Sequence, residues 1–388
     1  MSAGVRYQET AGPGAESFSP GAARLLVLSV AVLLALGLTM LFSIGIGQSD
    51  PLHYPFRQAV FAVVGIGGGI FTASVPLAFW KRMLPWMCAG TVILLLMARL
   101  VGRDINGAHR WLSLGPVSFQ PSELGKLTAL VWLAYWLSRY RRRAHEFVRG
   151  FFIPAAGLGM VCVLVLIGPD YGTTMLIGGT GLMVMFIGGT RLSYLFFSML
   201  VAAGGFTVMI LENKERLSRV VSFLNPEKYA DDEAYQLMNS LYGIMEGGLT
   251  GKGIGQSLQK YSYLPEAHTD FILAILGEEL GLVGMLVVLG LFLVFFFAGM
   301  TISWRSRDPF ARLLGFGITF LITLQAGINV GVVTGSMPTK GLPLPFISHG
   351  GSNLVFMVAM VGILVRISRG ESGSDGERRV LRDSQQWV

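Results

Sequence analysis

The stretch "ARLLVLSVAVLLALGLTMLFS" (Ala23 to Ser43) decides the fold, because it carries one charged side chain in an otherwise largely apolar run. An α-helix rises ~1.5 Å per residue, so a run of this length spans the ~30 Å hydrocarbon core of a bilayer. Similar runs recur along the chain, which has 388 residues, 52% of them hydrophobic, and a mean hydropathy of +0.59. One soluble core could not bury so much apolar surface, so we predict an integral membrane protein.

About ten transmembrane helices are predicted from these runs, which makes the expected fold class all-α. The helices are expected to start near Ala23, Phe56, Met83, Pro121, Phe147, Tyr171, Leu192, Phe271, Phe310 and Ser352. They form one polytopic membrane domain, residues 23–369. Residues 212–269, between the seventh and eighth spans, are expected to form a large extracytoplasmic loop. The polar tails, residues 1–22 and 370–388, are expected to be disordered.

The net charge of +7 does not indicate a nucleic-acid-binding face, because the basic residues follow the loops on one side of the membrane. The loops on that side hold Lys81, Arg82, Arg139, Arg141, Arg142, Arg143, Arg149, Arg191, Arg305, Arg307 and Arg312. This asymmetry obeys the positive-inside rule and predicts that both termini are cytoplasmic. Cys88 and Cys162 fall within apolar runs, so neither a disulfide framework nor a metal site is indicated.

Four polar stretches lie on the opposite, outer side of this topology. They are "NGAHRWLSLGPVSFQPSELGK" (Asn106 to Lys126), "GPDYGTT" (Gly168 to Thr174), the large loop, and "GSMPTKGLPLPFISHGGSN" (Gly335 to Asn353). Their glycines and prolines favour turns and non-helical backbone, which a membrane tolerates only where protein or water satisfies it. The clustering predicts one extracytoplasmic site.

Two of these stretches carry acids with both a structural and a functional interpretation. Glu123 and Lys126 stand three residues apart just after Pro121, so they share one helix face and can pair. The pair could stabilise the bundle, or hold the lysine toward an anionic ligand, or both. Asp170 follows a proline and precedes "YG", a context typical of a turn or a helix N-cap.

The large loop contains "GGLTGKGIG" (Gly247 to Gly255), in which Lys252 is surrounded by glycines. This is not a nucleotide P-loop, because the G-K-[ST] ending and a preceding strand are missing. A flexible hinge and a pyrophosphate-facing nest of backbone amides are both compatible with it.

The loop ends in "YLPEAHTDFILAILGEELG", where acids stand at the mouth of the eighth span and inside it. Thr269 could cap this helix and place Asp270 in its first turn. Asp270, with Glu266 and His268 just before it, could instead act as a general base at a water-exposed vestibule. Glu278 and Glu279 are ~12 Å deeper along the helix and are interpreted as its buried partners.

Taken together, these motifs resemble the SEDS family of polytopic proteins, FtsW, RodA and SpoVE, and most closely the FtsW branch. The resemblance rests on "NGAHRWLSLGPVSFQPSELGKL", "PDYGTT", "GGLTGKGIGQSLQKYSYLPEAHTDFILAILGEELG" and "GVVTGSMPTKGLPLPFISHGGSN". The chain departs from the family pattern at His349, Asn353, Met245 and Glu246, which weakens the transfer of exact roles to the last outer loop.

The resemblance implies a ten-span SEDS fold in the bacterial cytoplasmic membrane and a peptidoglycan glycosyltransferase that polymerises lipid II at the outer face, for septal wall synthesis. It implies Asp270 as the catalytic base. The candidates for binding substrate or pyrophosphate are Lys126, Arg110, Glu123, Lys252, Lys340, His268 and Asp170. No cofactor is evident, although a divalent cation such as Mg or Mn could assist. The implied partner is a class B penicillin-binding protein, a transpeptidase.

Three rival functions are a lipid II flippase, a scaffold that recruits the transpeptidase, and the RodA-like polymerase of elongation. A flippase would need a polar path through the membrane, and Glu278, Glu279, Gln325 and Asn329 do lie within predicted spans. The other ionisable residues cluster on the outer side, which favours chemistry at the surface.

Overall fold

The computed structural model describes residues 19–46, 50–105, 108–114, 117–230, 232, 234–260, 264 and 267–370. Its α-helices are α1 (Pro20–Gly45), α2 (His53–Ser74), α3 (Leu77–Val101), α4 (Pro121–Arg139), α5 (Ile153–Ile167), α6 (Tyr171–Ile187), α7 (Leu192–Leu211), α8 (Lys214–Leu224), α9 (Tyr235–Gly247), α10 (Ile272–Arg305), α11 (Pro309–Val333) and α12 (Gly351–Ser368). A π-helical turn, Phe147–Phe152, leads into α5. Most of the two predicted tails, and Glu266, lie outside the described residues.

The prediction of an all-α membrane protein is confirmed. Within the described residues, eight helices are long and apolar enough to cross a membrane: α1, α2, α3, α5 with its π-helical turn, α7, α10, α11 and α12. The two other predicted spans correspond to α6, an apolar helix of 17 residues, and α4, which is 19 residues long and largely buried. Nine of the ten predicted starts agree with the observed starts to within three residues, and the predicted start at Met83 is six residues after Leu77, the first residue of α3.

The helices pack through small residues where they approach most closely. The most extensive contact is between α2 and α12. A Cβ atom on Gly362 of α12 would lie 2.1 Å from the carbonyl oxygen of Gly69 of α2, so a side chain at Gly362 would force the helices apart. Next to this contact, Thr72 Oγ1 donates to the carbonyl of Ala359 at 2.7 Å. Close approach of this kind is typical of membrane helices, which gain little from the hydrophobic effect within lipid.

A small antiparallel sheet lies between α3 and α4, and the sequence did not predict it. Its strands are β1 (Arg103–Ile105), β2 (Ala108–Leu114) and β3 (Val117–Phe119), in the order β1-β2-β3. The backbone pairs Arg103 with Trp111 and Leu112 with Phe119. The sheet satisfies the backbone of the first outer stretch and leads into α4.

The α10 helix is broken near its N-terminal end. Gly281 has φ 67° and ψ −166°, a conformation that L side chains rarely adopt, so glycine is required at the break. The loop after α9 satisfies the backbone around the break: Lys252 and Gly253 donate N–H groups to the carbonyls of Glu278 and Glu279. The segment before the break, from Ile272 to Glu279, is buried on all sides. An interrupted membrane helix is stable only when such partners are supplied.

Candidate functional site

Asp270 lies two residues before the N-terminal end of α10, in a half-buried position. Its backbone carbonyl accepts a hydrogen bond from Asn329 Nδ2 at 2.7 Å. Its carboxylate lies against Gly341, where an added Cβ atom would be 3.1 Å from Asp270 Oδ2. The carboxylate is therefore placed beside the last outer loop, the segment that also carries Lys340.

The predicted start of this helix, near Phe271, is one residue from the observed start, but the suggested cap at Thr269 is wrong. The helix begins at Ile272, its N-cap residue is Phe271 without a side-chain cap, and its first turn contains no acid among the described residues. Thr269 is therefore not the cap, and Asp270 precedes the helix. The reason is that the carbonyls of Thr269 and Asp270 are bonded to neighbouring segments, Ser348 Oγ at 2.6 Å and Asn329 Nδ2, so the chain is not free to enter the helix there.

The loop between α11 and α12 packs inward. We call residues 338–349 the buried loop, because Leu342, Leu344, Phe346, Ile347 and Ser348 are each 4% exposed or less. Three side-chain amides bind its carbonyls: Asn329 binds Leu342 at 2.9 Å, Gln325 binds Pro343 at 2.8 Å and Gln58 binds Ser348 at 3.0 Å. The non-helical backbone is satisfied in this way inside the bundle.

His268 belongs to an aromatic cluster beside Asp270. Its ring stacks on Tyr54 at a centroid distance of 4.4 Å, and His349 lies 5.3 Å from Tyr54 and 5.9 Å from His268. Burial, helped by the charges of His268, Arg57 and His53, lowers the pKa of His349 to about 4. His349 is therefore neutral at pH 7 and packs as an uncharged ring.

Glu123 and Lys126 form the predicted pair, but deep within the bundle. Lys126 Nζ lies 2.8 Å from Glu123 Oε1, and the side chains are 1% and 2% exposed. Lys126 also donates to Gln325 Oε1 at 3.1 Å, and Asn353 Nδ2 donates to Glu123 Oε1 at 3.0 Å. Lys126 is thus committed to protein partners and is not presented at the surface.

Asp170 is an N-cap residue, as its sequence context indicated. Its Oδ1 accepts from Thr173 N at 3.1 Å at the start of α6, and its Oδ2 accepts from Gln120 Nε2 at 3.1 Å. Arg110 donates to the carbonyls of Gly168 at 3.2 Å and Pro169 at 2.5 Å. Asp170 and Arg110 therefore meet at one turn and fix the sheet and α4 to α6.

Lys252 of the glycine-rich loop is paired with two carboxylates, so its ammonium group is not free to bind a phosphate. It forms ion pairs with Glu246 and, at 2.9 Å, with Glu278. The hydrogen bond that Lys252 donates to Glu246 is the main cause that raises the pKa of Lys252, and the bond to Glu278 raises this pKa further. Since the same loop satisfies the backbone at the break in α10, it acts as a strap, residues 248–260, rather than as a hinge.

Glu278 and Glu279 both hold the strap from inside the bundle, as the sequence interpretation expected of buried partners. Glu278 accepts from Ser257 Oγ at 2.5 Å and from Leu258 N at 2.9 Å. Glu279 lies 3.6 Å from Lys260 Nζ and accepts from Ser43 Oγ at 2.5 Å. Both acids are 0% exposed.

Lys340 is half-buried and directly precedes Gly341, the residue against which the Asp270 carboxylate lies. Its ammonium group lies against Met175 Sδ of α6. Burial lowers the pKa of Lys340 below its ordinary value. Among the described residues, no group of three or more His, Cys, Asp or Glu is arranged to hold a metal ion.

The comparisons with known proteins identify the family. Residues 23–373 match the FtsW/RodA/SpoVE family model, described as "Cell cycle protein". The chain belongs to this family. A family relative from Legionella pneumophila, named "Probable peptidoglycan glycosyltransferase FtsW", is 38% identical over 352 residues, covering 88% of this chain and 89% of the relative. A Coxiella burnetii relative of the same name is 37% identical over 353 residues, covering 88% and 95%.

Solved structures of the family share the fold. A chain from a peptidoglycan synthase complex that coordinates polymerization and crosslinking superposes with a TM-score of 0.75 at 27% identity, covering 91% of this chain and 98% of that chain. The rod shape determining protein RodA of Thermus thermophilus superposes with a TM-score of 0.68 at 27% identity, covering 92% and 98%. The predicted membership in the FtsW/RodA/SpoVE family is confirmed.

The structure separates the predicted site residues. Asp270 and His268 lie against the buried loop, which also carries Lys340. Glu123 and Lys126 lie in the core, Asp170 and Arg110 share a turn, and Lys252 lies apart from both pairs, at the break in α10. Sequence reasoning did not single out Gln58, Tyr54 or Ser348. The signal for Gln58 was present, since a glutamine in the apolar run "PFRQAVFAVV" needs a polar partner inside the bundle.

Proposed function

We propose that this chain is a peptidoglycan glycosyltransferase that polymerises lipid II at the outer face of the cytoplasmic membrane. The observation that carries the proposal is the match along almost the whole length of relatives that bear this activity in their names. Those relatives are named FtsW, which favours septal synthesis in cell division over the RodA-like role in elongation.

In the proposed reaction, Asp270 removes the proton from the 4-hydroxyl of the acceptor GlcNAc. The oxygen attacks the anomeric carbon of the MurNAc at the end of the donor strand and inverts it. The bond to undecaprenyl pyrophosphate breaks, and the pyrophosphate leaves with the electron pair. Because the leaving group is already activated, no ATP is required. A general base is worth ~10² to 10⁴ in rate. The half-buried position of Asp270, with its carboxylate against the exposed Gly341, supports this role.

The departing pyrophosphate needs positive charge, and Lys340 is the best-placed candidate. It stands next to Gly341, against which the Asp270 carboxylate lies. Arg110, Lys126 and Lys252 are weaker candidates than the sequence suggested, because each is bound to a carbonyl or a carboxylate of the protein. A divalent cation such as Mg²⁺ or Mn²⁺ would share this neutralisation.

We further propose that the chain has both termini in the cytoplasm and works with a class B penicillin-binding protein. The inner loops are rich in Lys and Arg, as the positive-inside rule requires. The structural relative in a peptidoglycan synthase complex supports a transpeptidase partner, because that complex joins polymerization to crosslinking.

Purified protein in lipid vesicles with lipid II tests the function. We expect glycan strands, with a higher yield when the transpeptidase partner is present. Translocated lipid without strands would mean a flippase, and neither product, with or without the partner, would mean a scaffold. Parallel reactions with EDTA, and with added Mg²⁺ or Mn²⁺, measure the contribution of a divalent cation.

A further inference from the structure

Three consecutive carbonyls hold the segment that ends in Asp270. His268 O accepts from the backbone N–H of His349 at 2.9 Å, and Thr269 O accepts from Ser348 Oγ at 2.6 Å. Asp270 O accepts from Asn329 Nδ2 at 2.7 Å. None of these donors belongs to α10, so the position of the segment is set by the buried loop and by α11.

Asn329 differs from the other two donors because it binds two segments at once. Its Nδ2 donates to Asp270 O and, at 2.9 Å, to Leu342 O of the buried loop. The side chain is 1% exposed, and its Oδ1 has no hydrogen-bond partner among the described residues. A buried amide that uses both donors of one nitrogen on two different segments fixes the distance between those segments.

One helical turn earlier, Gln325 continues the same arrangement. Its Nε2 donates to Pro343 O at 2.8 Å, and its Oε1 accepts from Lys126 Nζ at 3.1 Å. Residues four apart share a helix face, so Asn329 and Gln325 hold two adjacent carbonyls of the buried loop from one side of α11. The buried Glu123–Lys126 pair is thereby linked, through Gln325, to the loop beside Asp270.

We propose that Asn329 is a positioning residue for Asp270: its amide ties the Asp270 carbonyl to the Leu342 carbonyl and so fixes the carboxylate against Gly341. The inference rests on the proposed function, in which Asp270 is the base. A displacement of ~1 Å at a reacting group can cost ~10²-fold in rate, so loss of the tie should reduce the chemical step. Substrate affinity should change little, because Asn329 is buried beneath the site.

The test measures kcat, KM for lipid II and the thermal unfolding temperature of the purified full chain. Asn329→Leu and Asn329→Asp remove both donors at nearly constant volume. Gly341→Ala moves the carboxylate directly, since its Cβ atom would meet Asp270 Oδ2 at 3.1 Å on an exposed loop position. Thr323→Val is the matched control on α11, because Thr323 Oγ1 bonds only within the helix, to Thr319 O at 2.7 Å.

We expect kcat to fall ~10- to 100-fold in both Asn329 variants, with KM within about twofold of wild type. Gly341→Ala should lower kcat about threefold to tenfold without a change in unfolding temperature, and Thr323→Val should match wild type. A purely structural role would instead lower the unfolding temperature and leave kcat per folded molecule unchanged.

Two results separate this inference from the proposed function. If Asp270→Asn still polymerises lipid II at the wild-type rate, the assignment of the base fails. If Asp270→Asn is inactive while the Asn329 variants keep wild-type kcat, the function stands and the positioning role is overturned. If the Asn329 variants do not fold, a wild-type kcat in Gly341→Ala overturns the positioning role.

Discussion

Replacement of Lys126 by methionine should strongly destabilise the protein, because it leaves the Glu123 carboxylate buried without its cation. The two groups are 2.8 Å apart, and their side chains are 1% and 2% exposed. At an effective dielectric constant of ~20, that separation corresponds to an attraction of ~6 kcal/mol. The remaining hydrogen bond, from Asn353 at 3.0 Å, offsets part of the loss, so we expect a cost of ~3 to 5 kcal/mol.

The double variant Glu123→Gln with Lys126→Met separates this charge effect from a loss of packing. It removes both charges and keeps an oxygen that can accept from Asn353, so it should recover most of the lost stability. The assay is thermal unfolding in detergent. With the per-residue unfolding entropy of globular proteins, 3 to 5 kcal/mol corresponds to a decrease of about 4 to 6 °C for the single variant.

The same variants show whether Lys126 acts on substrate. Since Lys126 is committed to Glu123 and Gln325, we expect the double variant to polymerise at about a tenth of the wild-type rate, the loss arising through Gln325 and the buried loop. A double variant as unstable as Lys126→Met would refute the reasoning on the buried charge. A stable double variant with no detectable activity would instead place Lys126 at the substrate.

Two further predictions concern the strap and the cation at the site. Glu278→Leu should leave Ser257 Oγ and the amide of Leu258 without their buried acceptor, so we expect faster hydrogen exchange of the backbone amides over 252–260. Unchanged exchange would contradict the role of Glu278 in holding the strap. Glu227→Leu, at an exposed position, is the control. If protonated Lys340 stabilises the leaving pyrophosphate, activity should fall as the pH rises through the pKa of Lys340, which burial holds below its ordinary value. Lys340→Arg should move this alkaline fall of the pH–activity curve to higher pH. A fall at the same pH in both proteins would exclude Lys340 from this role.

The sequence predicted the membrane fold well because lipid imposes a simple rule of length and hydropathy. The predicted start at Leu192 is the observed start of α7, and the one at Phe310 is one residue from Pro309, the first residue of α11. The strands β1 to β3 were not predicted, since they are short and their stability depends on contacts with neighbouring elements.

Contacts between residues close together in the sequence were predictable, because helix periodicity fixes which neighbours share a face. Glu123 and Lys126 are three residues apart, and Asp170 caps the helix that follows it directly. The conformation of Thr269 and Asp270, outside the helix, was not predictable, because Asn329 and Ser348, which hold Asp270 and Thr269, are 59 and 79 residues away in the chain. Contacts of such separation leave no periodic signal in one sequence.

Lys252 shows how composition alone misleads about a loop. A lysine among glycines suggests a phosphate nest, yet the glycines let the backbone approach the break in α10, and the lysine neutralises Glu278. Glycine is needed at position 251, because its φ is 80° and because an added Cβ atom would lie 2.1 Å from the carbonyl oxygen of Glu279. The sequence shows both the glycine-rich loop and the glycine at the break in α10, but no pattern in it indicates that the two segments are in contact.

The most direct test of the account is the rate of glycan polymerisation from purified lipid II by Asp270→Asn, which keeps the size of the side chain and removes the base. We predict a decrease of at least ~10²-fold with an unfolding temperature close to wild type and unchanged lipid II binding. A folded Asp270→Asn protein that polymerises lipid II at the wild-type rate would contradict the account, because another group would then be the base.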